Sequence, residues 1–312
     1  MTLPAFAVGI DISKDKLDLH DTGSGRTWQT PNTKEAISVL LADWSAMDQT
    51  PFILFEATGS YDKALRLALT GAGIAYARVN STRARDFARA AGFLAKTDRI
   101  DAIMLARMAL SLQPEIDQPR SAAEDALSGL IRRRDQLVAM RSQERIRLKE
   151  VCDPVLEADL TDHIDWLSDR LCALQKQIDA LVRTSADLKD RIALMQTLPG
   201  IGAVTATLLA ALMPELGMRS PKAIAALAGL APLNSDSGKK RGTRTIRGGR
   251  KRVRDALYMC AVVAMRHNAR SKAFYQRLRD AGKPAKLALI AVARKLLITL
   301  NAMLRDRKTF AF

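Results

Sequence analysis

The sequence predicts an α/β domain built on a mixed sheet, followed by a basic helical domain. Short apolar runs alternate with turns and helical patterns over the first 80 residues, and helical periodicity dominates from residue 81 onward. Charge divides the chain in a similar way. Residues 232–312 hold 21 Lys and Arg against 4 Asp and Glu, whereas residues 1–231 hold 28 against 29. A positive field confined to one segment favours a polyphosphate partner, the alternative being a solvated basic helix.

The strands of the predicted sheet come early in the chain. AFAVGID (residues 5–11) is an apolar run that ends in an acid, and KLDLHDT (16–22) and GRTWQTP (25–31) alternate as antiparallel strands joined by a glycine turn. The apolar runs PFILFEAT (51–58) and IAYARVN (74–80) are each preceded by a helical pattern. Hairpins followed by a βαβ unit predict a mixed sheet covered by helices.

The helical half begins with a pattern from Ser81 to about Leu110 that is broken near Gly92. An Arg-rich helix is predicted from Ala122 to about Val151, before Pro154. The next helix carries a coiled-coil seam, which can pair within the chain or between two chains. The seam consists of Leu160, Ile164, Leu167, Leu171, Leu174, Ile178 and Leu181. We therefore predict three regions: a sheet domain (1–120), a coiled-coil arm (121–190) and a basic helical domain (191–312).

A short glycine motif lies between two helical patterns of the third region. Leu198-Pro-Gly-Ile-Gly202 is typical of a helix-hairpin-helix, in which Gly200 and Gly202 allow backbone N–H groups to approach a phosphate. Such a contact positions a nucleic acid without reading its sequence. The alternative is an ordinary αα-hairpin.

The composition argues against several classes of protein. Cys152, Cys172 and Cys260 are too widely separated for paired zinc ligands or a disulfide framework, and the three histidines are equally scattered. No P-loop is present, no apolar run approaches the ~18 residues that cross a bilayer, and no basic region precedes the N-terminal apolar stretch. We expect a cytoplasmic protein with free thiols, no membrane partner and no nucleotide cofactor.

Four acids stand where a sheet and a helix could bring them together. Asp11 and Glu56 end predicted strands, and Asp98 and Asp101 are three residues apart on one helix face. Grouped carboxylates repel unless a cation neutralises them, and hard oxygen ligands suit Mg²⁺. Two such ions about 4 Å apart can serve phosphodiester cleavage. Singly, each acid has a structural explanation: a turn cap for Asp11, a helix cap for Asp98 or an ion pair for Asp101. As a set they have the composition of an RNase H-like nuclease site.

The basic stretch SDSGKKRGTRTIRGGRKRVR (235–254) contains a serine directly before a glycine, Ser237. This serine is either a turn residue or a nucleophile among groups that hold a phosphate. Ser235 is the second candidate. The cations that could neutralise a bound phosphate are Lys239, Lys240, Arg241, Arg244, Arg247 and Arg250.

These segments together resemble a known family. GIDISKDKLDL, FEATGSY and KTDRIDAIMLA resemble the DEDD motifs of the RuvC-like domain in the insertion-sequence transposases that also include the Piv-type DNA invertases. LPGIGAVTA and LAGLAPLNSDSGKKRGTRTIRGG resemble the C-terminal domain of the same proteins. The resemblance spans essentially the whole chain. One departure is Arg247-Gly248-Gly249, where family members often have Ser-Lys after the isoleucine.

The resemblance implies that Asp11, Glu56, Asp98 and Asp101 bind Mg²⁺ and that Ser237 becomes joined to DNA. It further implies a homo-oligomer, dimer or tetramer, in which the acidic site of one subunit completes the serine site of another. The implied partners are donor and target DNA and a structured non-coding guide, the bridge RNA. In a bacterial cell the active protein would associate with the nucleoid.

The resemblance therefore implies an RNA-guided DNA transposase, or recombinase, that works through a phosphoserine intermediate. Three alternatives stay open. A metal-dependent resolvase or nuclease of the Holliday-junction type would use water as its nucleophile, a site-specific invertase would invert a DNA segment, and a non-catalytic nucleic-acid-binding protein would carry inert acids.

Overall fold

The computed structural model describes residues 6–57, 59, 61–93, 97–233, 242 and 244–310. The chain forms two units, Met1–Pro119 and Arg120–Phe312. The first contains a five-stranded sheet in the order β3-β2-β1-β4-β5. β1 is antiparallel to β2 and parallel to β4, so the sheet is mixed, as predicted. The strands are β1 (Ala7–Ile12), β2 (Lys16–Asp21), β3 (Thr27–Pro31), β4 (Phe52–Glu56) and β5 (Tyr76–Val79).

Four helices cover the two faces of this sheet. They are α1 (Lys34–Ser45), α2 (Lys63–Gly71), α3 (Ser81–Ala90) and α4 (Asp98–Leu112). Successive strand side chains point to opposite faces. Ile10 and Phe55 pack in one core with residues of α1 and α2, whereas Leu54 packs in a second core with residues of α3 and α4. α4 therefore lies on the sheet face that Ala7, Gly9 and Asp11 share.

The second unit begins with two long helices, α5 (Ala122–Arg147) and α6 (Pro154–Thr184). A capping box starts α5: Glu124 N donates to Ser121 Oγ, and Ser121 N donates to the Glu124 carboxylate. Asp153 caps α6, with Pro154 at its first position. Proline fits there because the first N–H groups of a helix have no intrahelical acceptor.

The two helices pack against each other as an antiparallel hairpin. Arg141 Nη1 donates to Ser168 Oγ at 3.2 Å, and His163 Nδ1 lies 3.5 Å from Glu144 Oε1, so residue numbers rise along α5 as they fall along α6. Leu167 and Leu171 of the predicted seam form a small core with α5. Within this chain, the seam is used by the hairpin.

In the described part of the second unit, six more helices follow α6. One core joins residues of α5, α6 and these helices, from Leu127 to Met303. A two-stranded ladder, which the sequence patterns did not predict, lies between α9 and α10. The elements are α7 (Ala186–Gln196), α8 (Ala203–Leu212), α9 (Pro221–Leu227), β6 (Pro232–Leu233), β7 (Thr245–Ile246), α10 (Lys251–His267), α11 (Ala269–Asp280) and α12 (Ala285–Asp306). The three cysteines are free thiols, as predicted.

The last helix, α12, is by length and composition long and apolar enough to cross a membrane, although the sequence has no uninterrupted apolar run of that length. Its buried face, including Val292, Leu297 and Leu300, lies in the core of the second unit. Asn301 Oδ1 accepts from Gly217 N at 2.9 Å, and its amide donates to Arg219 O at 3.0 Å. A core helix has the same apolar character as a span, so the composition of α12 is explained by its packing.

Candidate functional site

Strand register places three carboxylates in a row across the sheet. Asp11 on β1 lies directly opposite Asp18 on β2. On the other side, Ile10 pairs with Phe55 of β4, so Asp11 and Glu56 follow at the next step of the same parallel register. Residues opposite each other on neighbouring strands share a face. The face they share is the one that α4 covers.

The first turn of α4 contributes two more acids, Asp98 and Asp101. Thr97 caps this helix, since its Oγ1 accepts from Ile100 N at 3.2 Å, and Asp98 is therefore not the cap. The turn beside Asp11 is likewise closed by Ser13, whose Oγ donates to Lys16 O at 2.9 Å. Caps do not explain these acids.

Gly9 allows α4 to lie close to the strand. A Cβ at this position would lie 2.2 Å from Ala102 O and 2.3 Å from Ala106 N, both backbone atoms of α4. Only glycine fits such a contact. Gly9 is two residues before Asp11 on the same face, so the contact holds the N-terminal turn of α4 near that carboxylate.

The grouped charges act on Asp11. Burial first, and then the negative charges of Asp101, Asp98, Asp18 and Glu56, raise the pKa of Asp11 to about 6. Like charges disfavour ionisation of a carboxyl group that is already partly desolvated. The four acids predicted from the sequence are therefore close enough to interact electrostatically.

Asp18 is a fifth acid that the motif analysis missed. It is only 8 % exposed, and Gln29 Nε2 donates to its Oδ1 at 2.9 Å. Lys16 Nζ lies 3.3 Å from Asp18 Oδ2 and 2.8 Å from Asp98 Oδ2. The pairing register of the β1–β2 hairpin is the signal that could have identified Asp18, because this register places Asp18 directly opposite Asp11.

The acids suit a divalent cation by their chemistry. Carboxylate oxygens are the ligands that Mg²⁺ prefers. A group of carboxylates that nearby cations do not fully neutralise is also stabilised by a bound cation. In the part of the chain that the structure describes, no three Asp, Glu, His or Cys side chains converge closely enough to ligate one ion as they stand. The ammonium of Lys16 supplies positive charge between two of the acids.

The nucleophile predicted from the sequence lies outside the described residues. Ser237, Ser235, Lys239, Lys240 and Arg241 all belong to this part of the chain. The described residues on either side form the ladder of β6 and β7, in which Pro232 pairs with Ile246 and Leu233 with Thr245. The two described segments that flank Ser237 in the sequence are therefore paired with each other. Arg244 and Arg247 are exposed there.

The chain after β7 is anchored through a contact between two glycines. A Cβ on Gly249 would lie 2.2 Å from Gly229 N and 2.5 Å from Gly229 Cα. Arg254 Nη1 donates to Gly248 O at 2.7 Å, and Arg250 N donates to Leu227 O at 2.8 Å. These contacts fix the segment that follows the serine stretch against the end of α9.

Arg250 is held by a partly buried carboxylate. Its guanidinium donates to both oxygens of Glu215 at 2.6 Å and to Leu212 O at 2.8 Å. Burial acts to raise the pKa of Glu215, but the hydrogen bonds and charge of Arg250, a backbone hydrogen bond and the charge of Arg120 together leave that pKa below its ordinary value. In the structure, the Arg250 guanidinium contacts only protein atoms among the described residues. Contact between Arg250 and a nucleic acid remains a prediction.

Gly249→Ala should destabilise the protein more than Gly248→Ala. Both glycines have positive φ, +66° and +67°, so both variants carry the strain of the left-handed region, but only Gly249 also lacks room for a Cβ. We expect an additional loss of about 1–3 kcal/mol, measured by urea unfolding. An equal loss of unfolding free energy in the two variants would show that the backbone at Gly229 moves aside without a measurable loss of stability.

The glycines of the predicted helix-hairpin-helix lie between α7 and α8. Gly200 has φ +101°, and a Cβ there would lie 2.7 Å from Ala264 Cβ, so packing against α10 explains this glycine. Gly202 is exposed at the start of α8, and nothing lies within 4 Å of its would-be Cβ. The helix–loop–helix is present, and phosphate binding by it remains a prediction.

Comparison with known proteins matches both halves of the chain. Residues 8–156 match the family model of IS110-type DEDD transposases, described as Transposase, and residues 192–276 match the Transposase IS116/IS110/IS902 family. The first region contains Asp11, Glu56, Asp98 and Asp101, and the second contains Ser237.

Two relatives match nearly the whole chain. The pilin gene-inverting proteins of Moraxella bovis and Moraxella lacunata are each 32% identical to it over 316 aligned residues, which cover 97% of both chains. The uncharacterized protein of insertion element IS116 from Streptomyces clavuligerus is 33% identical over 179 residues, covering 55% of this chain and 44% of that protein. The resemblance seen in the motifs thus extends over the full length.

Proposed function

Because the chain belongs to the IS110/IS116/IS902 family of DEDD transposases, to which the pilin gene-inverting proteins are related, we propose that it cleaves and rejoins donor and target DNA through a phosphoserine intermediate. The observation that carries this proposal is the register of β1 and β4. It brings Asp11 and Glu56 to one end of the sheet, beneath the helix turn with Asp98 and Asp101. That arrangement suits phosphodiester chemistry.

The acids would hold Mg²⁺, at one or two positions. The ion would supply Lewis-acid stabilisation of charge on the reacting phosphate. The chain supplies Asp11 and Glu56 from rigid strands and Asp98 and Asp101 from a capped helix turn, so the donors come from elements whose positions packing fixes.

In the proposed reaction the Oγ of Ser237 attacks phosphorus. The Oγ–P bond forms, the P–O bond to the leaving deoxyribose oxygen breaks, the serine gives up its proton, and the leaving oxygen gains one. Rejoining reverses these steps with the exchanged DNA end, so the phosphodiester energy is conserved and no nucleotide is required. Arg244 and Arg247, which are exposed next to β7, would neutralise charge on the bound phosphate.

Recognition is proposed to be shared between protein and RNA. A bridge RNA would pair with donor and target DNA, while the basic C-terminal unit holds the phosphate backbones. Two or four copies of the chain would assemble, so that acids from one copy meet the serine of another. Guidance by RNA and assembly of several copies are both proposed because the family resemblance implies them.

DNA inversion is the second candidate function. It is favoured by the match over 97% of the length to two proteins named for inverting a pilin gene. Inversion and transposition require the same cleavage and rejoining and differ in where the two DNA sites lie.

Ser237→Ala is expected to abolish the covalent protein–DNA link. Purified protein, Mg²⁺, the element-derived RNA and end-labelled donor and target DNA would be resolved on a denaturing protein gel. Label should travel with the wild-type protein and with Ser235→Ala, the control two residues away, and disappear in Ser237→Ala. If DNA is cut without protein-linked label, and Ser237→Ala cuts as well as wild type, water is the nucleophile and the chain is a nuclease. If no DNA is cut under any condition, the non-catalytic alternative gains support.

A further inference from the structure

Lys16 occupies a position between the sheet and α4. It is the first residue of β2, and its Nζ lies 3.3 Å from Asp18 Oδ2 and 2.8 Å from Asp98 Oδ2. The Lys16 side chain is 39% exposed, whereas the Asp18 side chain is 11% exposed. One ammonium thus bridges a carboxylate fixed on the strand and a carboxylate on the first turn of the helix.

The two carboxylates hold this ammonium differently. Asp18 is buried, lies opposite Asp11, and is oriented through its other oxygen by Gln29. The Asp98 side chain is 53% exposed and belongs to the set predicted to bind metal. Asp18 is therefore the fixed partner of Lys16, and Asp98 is the carboxylate that can exchange a lysine for another cation.

An ammonium and a divalent ion cannot share the same carboxylate oxygen without strong repulsion. Among the described residues no three potential ligands converge as they stand, so an ion held by three or more of the acids would draw them closer together. While Lys16 binds Asp98 Oδ2, that oxygen is not available to an ion shared with Asp11 and Glu56.

We infer that Lys16 is an internal cation that competes with the divalent metal for Asp98. Without metal, Lys16 neutralises Asp98 and Asp18 and ties α4 to β2. When metal binds, Asp98 is released to it and Lys16 remains on Asp18. The inference rests on the proposed metal-dependent function and adds a positioning residue that the four-acid motif does not include.

The test is the affinity of the full-length protein for Mn²⁺, followed by loss of the EPR signal of free Mn²⁺ on titration. Lys16→Met removes the charge and keeps the length of the side chain. We expect its dissociation constant to be about two- to fivefold lower than that of wild type, the competition that partly exposed ion pairs can exert. Lys14→Met, an exposed lysine in the same turn, is the control for a general change in field and should alter the constant much less.

A second measurement needs no variant. Reductive methylation followed by mass spectrometry reports how free each lysine of the wild-type chain is, and saturating Mg²⁺ should raise methylation of Lys16 relative to Lys14. If wild type binds Mn²⁺ but neither the affinity of Lys16→Met nor the methylation ratio changes, this inference is wrong and the proposed function stands. If wild type binds no divalent ion, both fail.

Discussion

Asp11→Asn should remove DNA cleavage and at the same time stabilise the metal-free protein. Loss of a carboxylate that holds the metal should slow cleavage at least about a hundredfold, since metal stabilisation of the transition state is worth several kcal/mol. Removing one of five neighbouring negative charges relieves repulsion. We expect Tm to rise by about 2–4 °C near neutral pH, the shift that about 1 kcal/mol produces, because partial exposure of Asp11 screens the repulsion.

The stabilisation should depend on pH with a defined sign. The pKa of Asp11 is raised from 3.8 to about 6, so the folded chain retains a proton that the unfolded chain has lost between these values. Folding stability of the wild type therefore falls as pH rises through this window. The advantage of Asp11→Asn should be absent near pH 4 and complete above pH 6, as measured by calorimetry with EDTA. Asp15→Asn, an exposed acid in the adjacent turn, is the control. Destabilisation at both pH values would mean that Asp11 has a structural role.

Gly9→Ala should damage both stability and cleavage without touching a charged residue. The new methyl group would overlap backbone atoms of Ala102 and Ala106, which cannot rotate away, so α4 must shift from the sheet. Overpacking of this kind costs about 1–3 kcal/mol. A displacement of about 1 Å at Asp98 and Asp101 is enough to slow catalysis roughly a hundredfold. Urea unfolding and the gel assay would measure the two effects.

Gly71→Ala is the matched control for Gly9→Ala. Gly71 ends α2 in the same unit, and nothing lies within 4 Å of its would-be Cβ. Alanine favours helix over glycine, so this variant should be neutral or slightly more stable. If Gly9→Ala behaves like Gly71→Ala, the position of α4 does not depend on the contact at Gly9.

The strands of the sheet could be predicted from the sequence because they are apolar runs bounded by turns. Ala7–Ile12 and Phe52–Glu56 are almost entirely buried; Asp11 is the next-to-last residue of the first strand, and Glu56 is the last residue of the second. Hydrophobic periodicity reports this kind of burial directly. The break between α3 and α4 near Gly92 and the end of α5 before Pro154 were also predictable, because glycine and proline interrupt helices locally.

The features that escaped prediction depend on pairing between distant segments. Asp18 joins the acidic cluster only through the register of a hairpin, and Arg250 meets Glu215 across 35 residues. The β6–β7 ladder has two residues in each strand, too few to show alternation. Local patterns carry no information on such partners, so the pairing of Arg250 with Glu215 could not be predicted from the sequence.

The antiparallel hairpin of α5 and α6 has unequal support along its length. Near its base Leu127, Ile131 and Ile178 lie in the main core of the second unit, whereas farther out Leu137, Leu167 and Leu171 form a separate, smaller cluster. The free energy of local opening depends on how much apolar surface a segment buries. Amide protons of the outer part should therefore exchange with solvent through local openings, while those of the base exchange only when the whole unit unfolds.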